Sequence, residues 1–587
     1  TNPVKPAAED GSTLIVEATC FDDPGGWTID TSCMESTQTP FLMAHGLGTP
    51  VADATTAVRL PTAGRWRVWV RTYDWVARWG APGTPGRFAV LVAGRPLAPE
   101  FGVTGETWGW QDGGVVEIDD SVVQVTLRDL TGFNGRCQAV CFSRDTENVP
   151  PPDDACLWRR PGMDSSAELE QPRRYDLVVV GGGYAGMCAA LMAARSGLAV
   201  ALVQDRDVLG GNASSEIRVP LRGLPLAGGR LPWLGCCVAE LQYDAAPNAR
   251  QPDEHSDARH LAVMKAERGI ELLLGHVLYD VTTEAGCIRT IRVRDLRHGR
   301  DRIIAGRCFA DCTGHGTLGA LAGAEYVIGM GGDPAMDHDH PLMGMTNTWS
   351  WEMTDTPVPA PEMPWALDMT LEDIPSTHLR SETKWGWESG FHRHPIRDLE
   401  RIRDNNLRAI FGAWRAMKRR AEYVNARLTR VAAIGGTRES RRLIGDLVLN
   451  EDDMLARVDF PDGFVPVSWF LDRHIPTPES RRIAPDDPFL SMAIHKPGTE
   501  RNARPRHEAP WYGIPYRCLY SRNIGNLFMA GRNISTSYWA LGATRVMRTC
   551  GMMGEVVGRA AAICVRKDCA PRDVFARHLE ELRAALK

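Results

Sequence analysis

The chain has 587 residues, of which 43% are hydrophobic and 24% charged, and its formal net charge is −6. This is the composition of a globular protein long enough for two or more domains, and it lacks the basic excess of a nucleic-acid-binding surface. No apolar run reaches the ~18 residues of a membrane-spanning helix. The start at Thr1 is polar and proline-containing and does not read as a signal sequence; a trimmed initiator Met and a cleaved signal both fit, so a soluble chain is expected, either cytoplasmic or exported.

The first 145 residues alternate with period two in short runs such as "TLIVEA", "RWRVWVRTY", "RFAVLVAG" and "VVQVTLRDL", separated by Gly, Pro and Asp turns. That pattern predicts an all-β sandwich over 1–145. Its tryptophans (Trp27, Trp66, Trp69, Trp75, Trp79, Trp108 and Trp110) are expected in the core; a sugar-stacking surface is the alternative. Pro, Asp and Ser cluster over 146–172, which reads as a linker.

At 177–181 a buried apolar strand runs into Gly181, Gly183 and Gly186, a GxGxxG turn followed by a helix over 184–196 and a second strand, "LAVALVQ". The first glycine permits the turn, the second lets the backbone approach a pyrophosphate, and the third lets the helix pack on the strand. The second strand ends in Gln204 where a carboxylate usually meets the ribose. Gln204 still offers an acceptor, with Asp205 and Arg206 beside it. Next come Gly211 and Asn212 in "LGGNASSEIRV", then "ELLLGHVLYDV" containing Val277, then hairpin sequence ending in the Gly314 turn "TGHG". A helix with apolar spacing and a basic outer face is expected over 397–427. Near the end, "MAGRNIS" (Gly531, Arg532) and "ALGATRVMRTCGMMGEVVGRAAA" (Ala543, Arg545) give a strand, a turn and a Gly/Ala-rich helix.

These segments, together with "GGTRESRRLIGDLVLNEDDML" and "WFLDRHIP", resemble a bacterial family of FAD-dependent oxidoreductases. It belongs to the glutathione-reductase-like flavoprotein superfamily, in the group with fumarate-reductase-like and thiazole-synthase-like folds, and some members are labelled xanthan-lyase-like. The resemblance spans roughly 175–345 and 430–565. It implies FAD as cofactor, held by Gly181, Gly183, Gly186, Gln204, Asp205, Arg206, Gly211, Asn212, Val277, Gly314, Gly531, Arg532, Ala543 and Arg545. It also implies a last helix whose positive N-terminus favours an anionic reduced flavin. The fold expected is an α/β Rossmann-like FAD domain at 173–345 and 511–587, with an inserted α+β substrate domain at 346–510 and the N-terminal sandwich.

Flavin chemistry needs a proton acceptor or donor beside the ring. His474 is the first choice as base. Arg438 and Glu439, after the Gly435–Gly436 turn, and Glu216, after the flavin GG turn, complete the candidate catalytic set. His338 and His340 in "DHDHP", like His392 and His394, read as solvated loop residues, and His315 as structural or cofactor-side. No metal site is expected. The 15 cysteines form no CxxC pair; Cys188, Cys236, Cys237 and Cys564 read as buried thiols, while Cys20 with Cys33 or Cys137 with Cys141 are pairs that an oxidising compartment could join. The leading function is oxidation of a secondary alcohol of a sugar or glycoside, delivering hydride to the flavin. The alternatives are C=C reduction or desaturation, and a carbohydrate-binding protein whose FAD domain is structural. A small-molecule or oligosaccharide substrate is expected, with no nucleic acid; the electron acceptor and the oligomer are left open.

Overall fold

The computed structural model describes residues 5–6, 12–145, 147–153, 173–242, 257–381, 385–499 and 512–587. Most of the linker expected at 146–172 therefore lies outside the described residues.

A seven-stranded sheet organises the second half of the chain. Ile270–Leu274, Val200–Gln204, Arg173–Val180 and Arg300–Asp311 lie side by side in parallel, and Leu527–Met529 adds a fifth parallel strand beyond Arg300–Asp311. The hairpin His276–Glu284 and Cys287–Asp295 extends the amino-terminal half of Arg300–Asp311 in the antiparallel sense. Val178, Val179, Leu202, Phe309 and Phe528 are wholly buried, as strands covered on both faces require. The register pairs Val180 with Val203 and Asp311, and Asp311 with Met529. The carboxyl ends of these strands are thus level, and the turns that follow each open on the same edge.

Two helices seal one face. Tyr184–Arg195 follows the glycine turn, and Met547–Lys567 lies across it. They approach closely because Gly551, Gly554 and Gly558 present no side chain at the crossing. A Cβ on Gly554 would stand 2.1 Å from Ala185 O, and one on Gly558 2.6 Å from Ala189 O.

The N-terminal residues form three antiparallel sheets. One orders 5–6, 13–17, 139–143, 64–72 and 109–118; the second 54–59, 122–129, 88–92 and 95–96; the third 133–137, 41–45 and 28–30. Alternate side chains point inward to one core that includes Trp27, Val58, Trp66, Phe88 and Leu127. Trp75 is buried as well, and Trp69 nearly so. Trp79 and Trp108 meet the rest of the chain instead of offering a sugar platform: Arg408 lies 4.7 Å over the Trp79 ring, and Trp108 Nε1 donates to Glu400 at 3.1 Å.

That contact is part of a larger one. Tyr73, Trp75, Val76 and Phe133 share a buried cluster with Trp349, Trp365, Phe411 and Trp414. Beside it, Arg136 pairs with Glu400 at 2.8 Å and Asp404 at 2.6 Å, and Arg403 pairs with Asp30 at 2.6 Å. The expected basic outer face of the 397–427 helix is therefore corrected. The helix is Leu399–Lys418, and Arg403, Asp404, Asn405, Asn406 and Arg408 are buried on it. Asp30 and Arg136, far away in sequence, join the charges of Arg403 and Asp404, which periodicity does not register.

The two cysteine pairs that an oxidising compartment could join are not bonded. Cys20, Cys33, Cys137 and Cys141 are free thiols. Cys137 belongs to the main N-terminal core whereas Cys141 packs with Ile15 and Trp69 in a separate cluster, so the two point apart.

Candidate active site

The level strand ends open on one cavity of about 770 Å³. Open α/β sheets place ligands at this edge.

Gly181 has φ +103°, and a Cβ on it would stand 2.3 Å from Cys312 O. Gly183 caps the helix Tyr184–Arg195. A Cβ there would meet nothing nearer than Gly211 Cα at 3.8 Å, so its backbone faces open space. Gly186 does not line the cavity; its Cβ would fall 1.8 Å from Gly181 O, which makes it the close-packing glycine. Gly211, Asn212, Val277, Gly314, Gly531, Arg532 and Arg545 line the cavity, while Ala543 lies buried in the short helix behind it.

The electrostatics of this end favour an anion. Arg532 is half-buried in the cavity wall, its Nε has no hydrogen-bond partner, and no carboxylate among the described residues pairs with it. Burial pushes its guanidinium down to about 10. His315 is held neutral, first by burial and then by Arg532, Arg441 and Arg206. A buried cation without a counter-ion is costly, and a pyrophosphate offers the missing charge.

Gln204 does something other than expected. Its Oε1 accepts from Gly182 N–H at 2.7 Å and its Nε2 donates to Val208 O at 3.0 Å. The buried amide ties the glycine turn to the following loop. The carboxylate next to it is Asp205, whose Oδ2 accepts from Thr31 Oγ1 at 2.8 Å. Arg206 donates to Glu216 at 2.8 Å and lies 3.6 Å from Asp205.

The opposite end is built on the strand Asp472–Pro476, paired with Ser491–His495. Alternation sends Asp472 and His474 toward the cavity and Arg473 away from it. His474 Nδ1 lies 2.7 Å from Glu388 Oε2, and Arg438 Nε lies 3.3 Å from the same oxygen. Arg438 Nε is also 3.0 Å from His474 Nδ1. Arg438 Nε–H is directed at Nδ1, while Nδ1 also lies within hydrogen-bond reach of Glu388, so the tautomer of His474 sets which of the two bonds Nδ1 makes. His474 Nε2 is then 3.5 Å from Asp472 Oδ2, which Arg545 holds at 2.6 Å; His495 meets Asp472 Oδ1 at 3.1 Å. Burial alone would raise Glu388, but His474 and Arg438 outweigh it and hold the carboxyl at about 2. Asp472 is likewise held low, by its hydrogen bond to His474 and by Arg545, against its burial. Trp385 packs 5.0 Å from His474, and Phe470 stacks on His495 at 4.5 Å.

Glu439 and Glu216, the other two carboxylate candidates, lie apart from His474. Neither lines the cavity. Glu439 is buried between Arg442 at 3.0 Å and Arg473 at 2.8 Å and accepts from Met343 N–H at 2.9 Å. Glu216 is occupied by Arg206. Sequence reasoning missed Glu388, Asp472 and His495. Asp472 carried a usable signal, two residues before His474 on a strand; Glu388 carried none.

The family model for FAD dependent oxidoreductases matches residues 176–586. The chain belongs to this family. It is an FAD-dependent oxidoreductase, and the unpaired Arg532 beside the open Gly183–Gly211 backbone fits the cofactor's pyrophosphate.

No curated protein matches the enzyme. Among solved structures, the thioredoxin reductase of T. acidophilum is 22% identical, over 24% of this chain and 35% of that one, with a TM-score of 0.16. The L-proline dehydrogenase of P. horikoshii is 21% identical over 25% and 24%, with a TM-score of 0.17. The enzyme thus spans about a third or less of the length of these two. The myxobacterial chondrochloren halogenase is 13% identical over 70% and 78%, with a TM-score of 0.29.

Among the described residues, one trio offers metal-ligand atoms within 4.8 Å of one another: Cys236, Cys237 and Glu555. Glu555 there already accepts the backbone N–H groups of Gly235, Cys237 and Val238. His338 and His340 are not part of it; His340 pairs with Asp337 at 3.1 Å. No described helix is long and apolar enough to cross a membrane.

Proposed function

We propose that the enzyme oxidises a secondary alcohol of a sugar or glycoside to a ketone. The observation that carries this is the charge pairing at the His474 end. Arg438 is matched by Glu388, and Arg545 by Asp472. A C=C reductase acting on an unsaturated acid needs free cations for the substrate carboxylate, and these are already neutralised. A neutral polyhydroxylated substrate meets no such conflict, and the Trp385 and Phe470 rings suit the apolar faces of a sugar.

Bound FAD supplies the hydride acceptor. Around it, Gly181, Gly183 and Gly211 would admit the pyrophosphate, Arg532 would neutralise it, and Asp205 and Val277 would face the adenosine half. Asn212, Gly314, Gly531 and Arg545 would wall the remainder. At the other end, in the tautomer whose Nδ1–H donates to Glu388, Nε2 of His474 is the basic atom. His474 Nε2 takes the hydroxyl proton, and Asp472 stabilises the imidazolium formed. Arg438, Glu388, Asp472 and Arg545 sum to zero charge, so the incoming proton meets no net positive field from them.

In this reading 1–145 is a β-sandwich, 346–510 caps the substrate end, and an acceptor of its own reoxidises the flavin. The test is anaerobic mixing of the oxidised enzyme with a panel of glycosides, following the visible flavin band. Bleaching with a glycoside, and a keto product by mass spectrometry, is the expected result. Bleaching by none, with reoxidation of dithionite-reduced enzyme by unsaturated acids, would favour C=C reduction instead.

A further inference from the structure

The FAD dependent oxidoreductase match begins at residue 176. Yet the cavity at the strand ends is also lined by Thr31, Ser32, Cys33, Met34, Glu35 and Gln38. We propose that this N-terminal segment is a wall of the FAD site, closing over the adenosine half, with Thr31 as the positioning residue for Asp205. The inference uses the assignment of the cofactor and not the choice of substrate.

The segment leaves the edge strand Thr28–Asp30 and turns through the short helix Met34–Thr37. It is pinned at both ends. Asp30 accepts from Arg403 at 2.6 Å and from Ser32 N–H at 2.8 Å and Ser32 Oγ at 2.6 Å. Glu35 takes both Nη atoms of Arg441, at 2.9 and 2.7 Å, and accepts from Thr317 Oγ1 at 2.7 Å. Arg441 and Thr317 belong to the family-matched portion, so the wall is fixed to the chain that carries the glycine turn.

Between these anchors stands Thr31. Its hydroxyl donates to Asp205 Oδ2 at 2.8 Å. Asp205 directly follows the second strand, where the acidic residue of a dinucleotide fold meets the ribose hydroxyls. The strand itself ends in Gln204, whose amide is consumed by Gly182 and Val208. Asp205 is thus the carboxylate left for the ribose. It is only part-buried; Thr31 at 2.8 Å, with Arg206 Nη1 farther off at 3.6 Å, holds Oδ2 and leaves Oδ1 as the acceptor. A flexible carboxylate would have to be ordered on binding, and pre-ordering removes that cost.

The experiment uses full-length protein stripped of flavin and titrated with FAD, following quenching of flavin fluorescence. Thr31→Val keeps the side-chain shape and should weaken FAD binding roughly 5- to 10-fold, the scale of one hydrogen bond. Thr31→Ser should restore most of it. In an Asp205→Asn background, Thr31→Val should add less than about 2-fold, because its effect passes through Asp205. The melting temperature of the flavin-free protein should be the same for wild type and Thr31→Val. Unchanged FAD affinity in Thr31→Val overturns the proposal. So does a loss that is equally large in the Asp205→Asn background, or one that accompanies a lower melting temperature of the stripped protein.

Discussion

Gly314 and Arg532 occupy a space that only one of them can fill. Gly314 has φ +72°, and a Cβ on it would stand 2.7 Å from Nη1 of the Arg532 guanidinium. The bare turn lets the long side chain lie against the backbone at the sheet edge, where its charge meets no carboxylate. Replacing Arg532 by Met should therefore act in opposite directions on two measurements. Flavin affinity should fall about 10-fold or more, the scale of a charge-assisted hydrogen bond. The flavin-free protein should melt slightly higher, because a half-buried cation without a carboxylate partner is gone. Gly314→Ala should also lower flavin content per protein, read from the visible-to-280 nm absorbance ratio.

His474→Ala should leave FAD bound and slow reductive bleaching by about 100-fold or more, the usual scale for losing a general base. Glu388→Gln should have a smaller effect and change the pH profile, since Gln can also accept the Nδ1–H but without charge. Stopped-flow absorbance with saturating glycoside reads both. Loss of flavin from His474→Ala would assign this histidine to structure.

Acid should weaken the fold through Glu388. Its folded carboxyl lies at about 2, against an unfolded value near ~4.3. The stabilisation is complete above the unfolded value and is lost as pH falls from about 4.3 toward about 2. Denaturant melts across that window should be steeper in pH for wild type than for Glu388→Gln. Equal slopes would show that Glu388 is not held down.

The helix crossing tolerates no added carbon. Gly554→Ala places a methyl 2.1 Å from Ala185 O and should cost about 1–3 kcal/mol, as core overpacking does. Calorimetry should show a lower midpoint, and flavin content should fall with it because the same helix opens on the cavity.

Cutting the chain between 146 and 172 should not release the N-terminal residues. The shared cluster of Trp75 and Phe133 with Trp365 and Phe411, together with the Arg136–Asp404 pair, should hold the nicked halves together through size exclusion. Arg136→Ala should separate them or unfold the protein, since it leaves Asp404 and Glu400 buried with one cation fewer. Separation of the nicked wild type would instead make the N-terminal sandwich an independent module.

The legible parts of this protein were those whose physics is local. A glycine that must turn or be approached announces itself within six residues, so Gly181, Gly183 and Gly186 could be placed from the sequence with their separate tasks. Period-two alternation was equally open to reading along the N-terminal strands. What lay hidden were partners brought in by the fold. Glu388 is 86 residues from His474, and Asp30 is 373 residues from Arg403. The 397–427 segment looked basic and solvated because Asp30, Arg136 and part of its apolar cover come from strands at the opposite end of the chain, while Asp487 and Asp368 meet Arg401 and Arg415. Gln204 misled for the reverse reason: it sits where a ribose ligand belongs, and the loop took its amide instead.

The Arg136 pairs also set a timetable for synthesis. Glu400 and Asp404 are made 264 and 268 residues after Arg136. At ~5–20 residues per second, the N-terminal sheets wait roughly 13 to 50 s with a guanidinium that ends fully buried still lacking its counter-charges. Their apolar face around Trp75 and Phe133 is bare over the same interval. A nascent chain in that state is a natural client for a chaperone. Production of this protein should therefore be limited by slow closure of its two ends more than by the strength of either one.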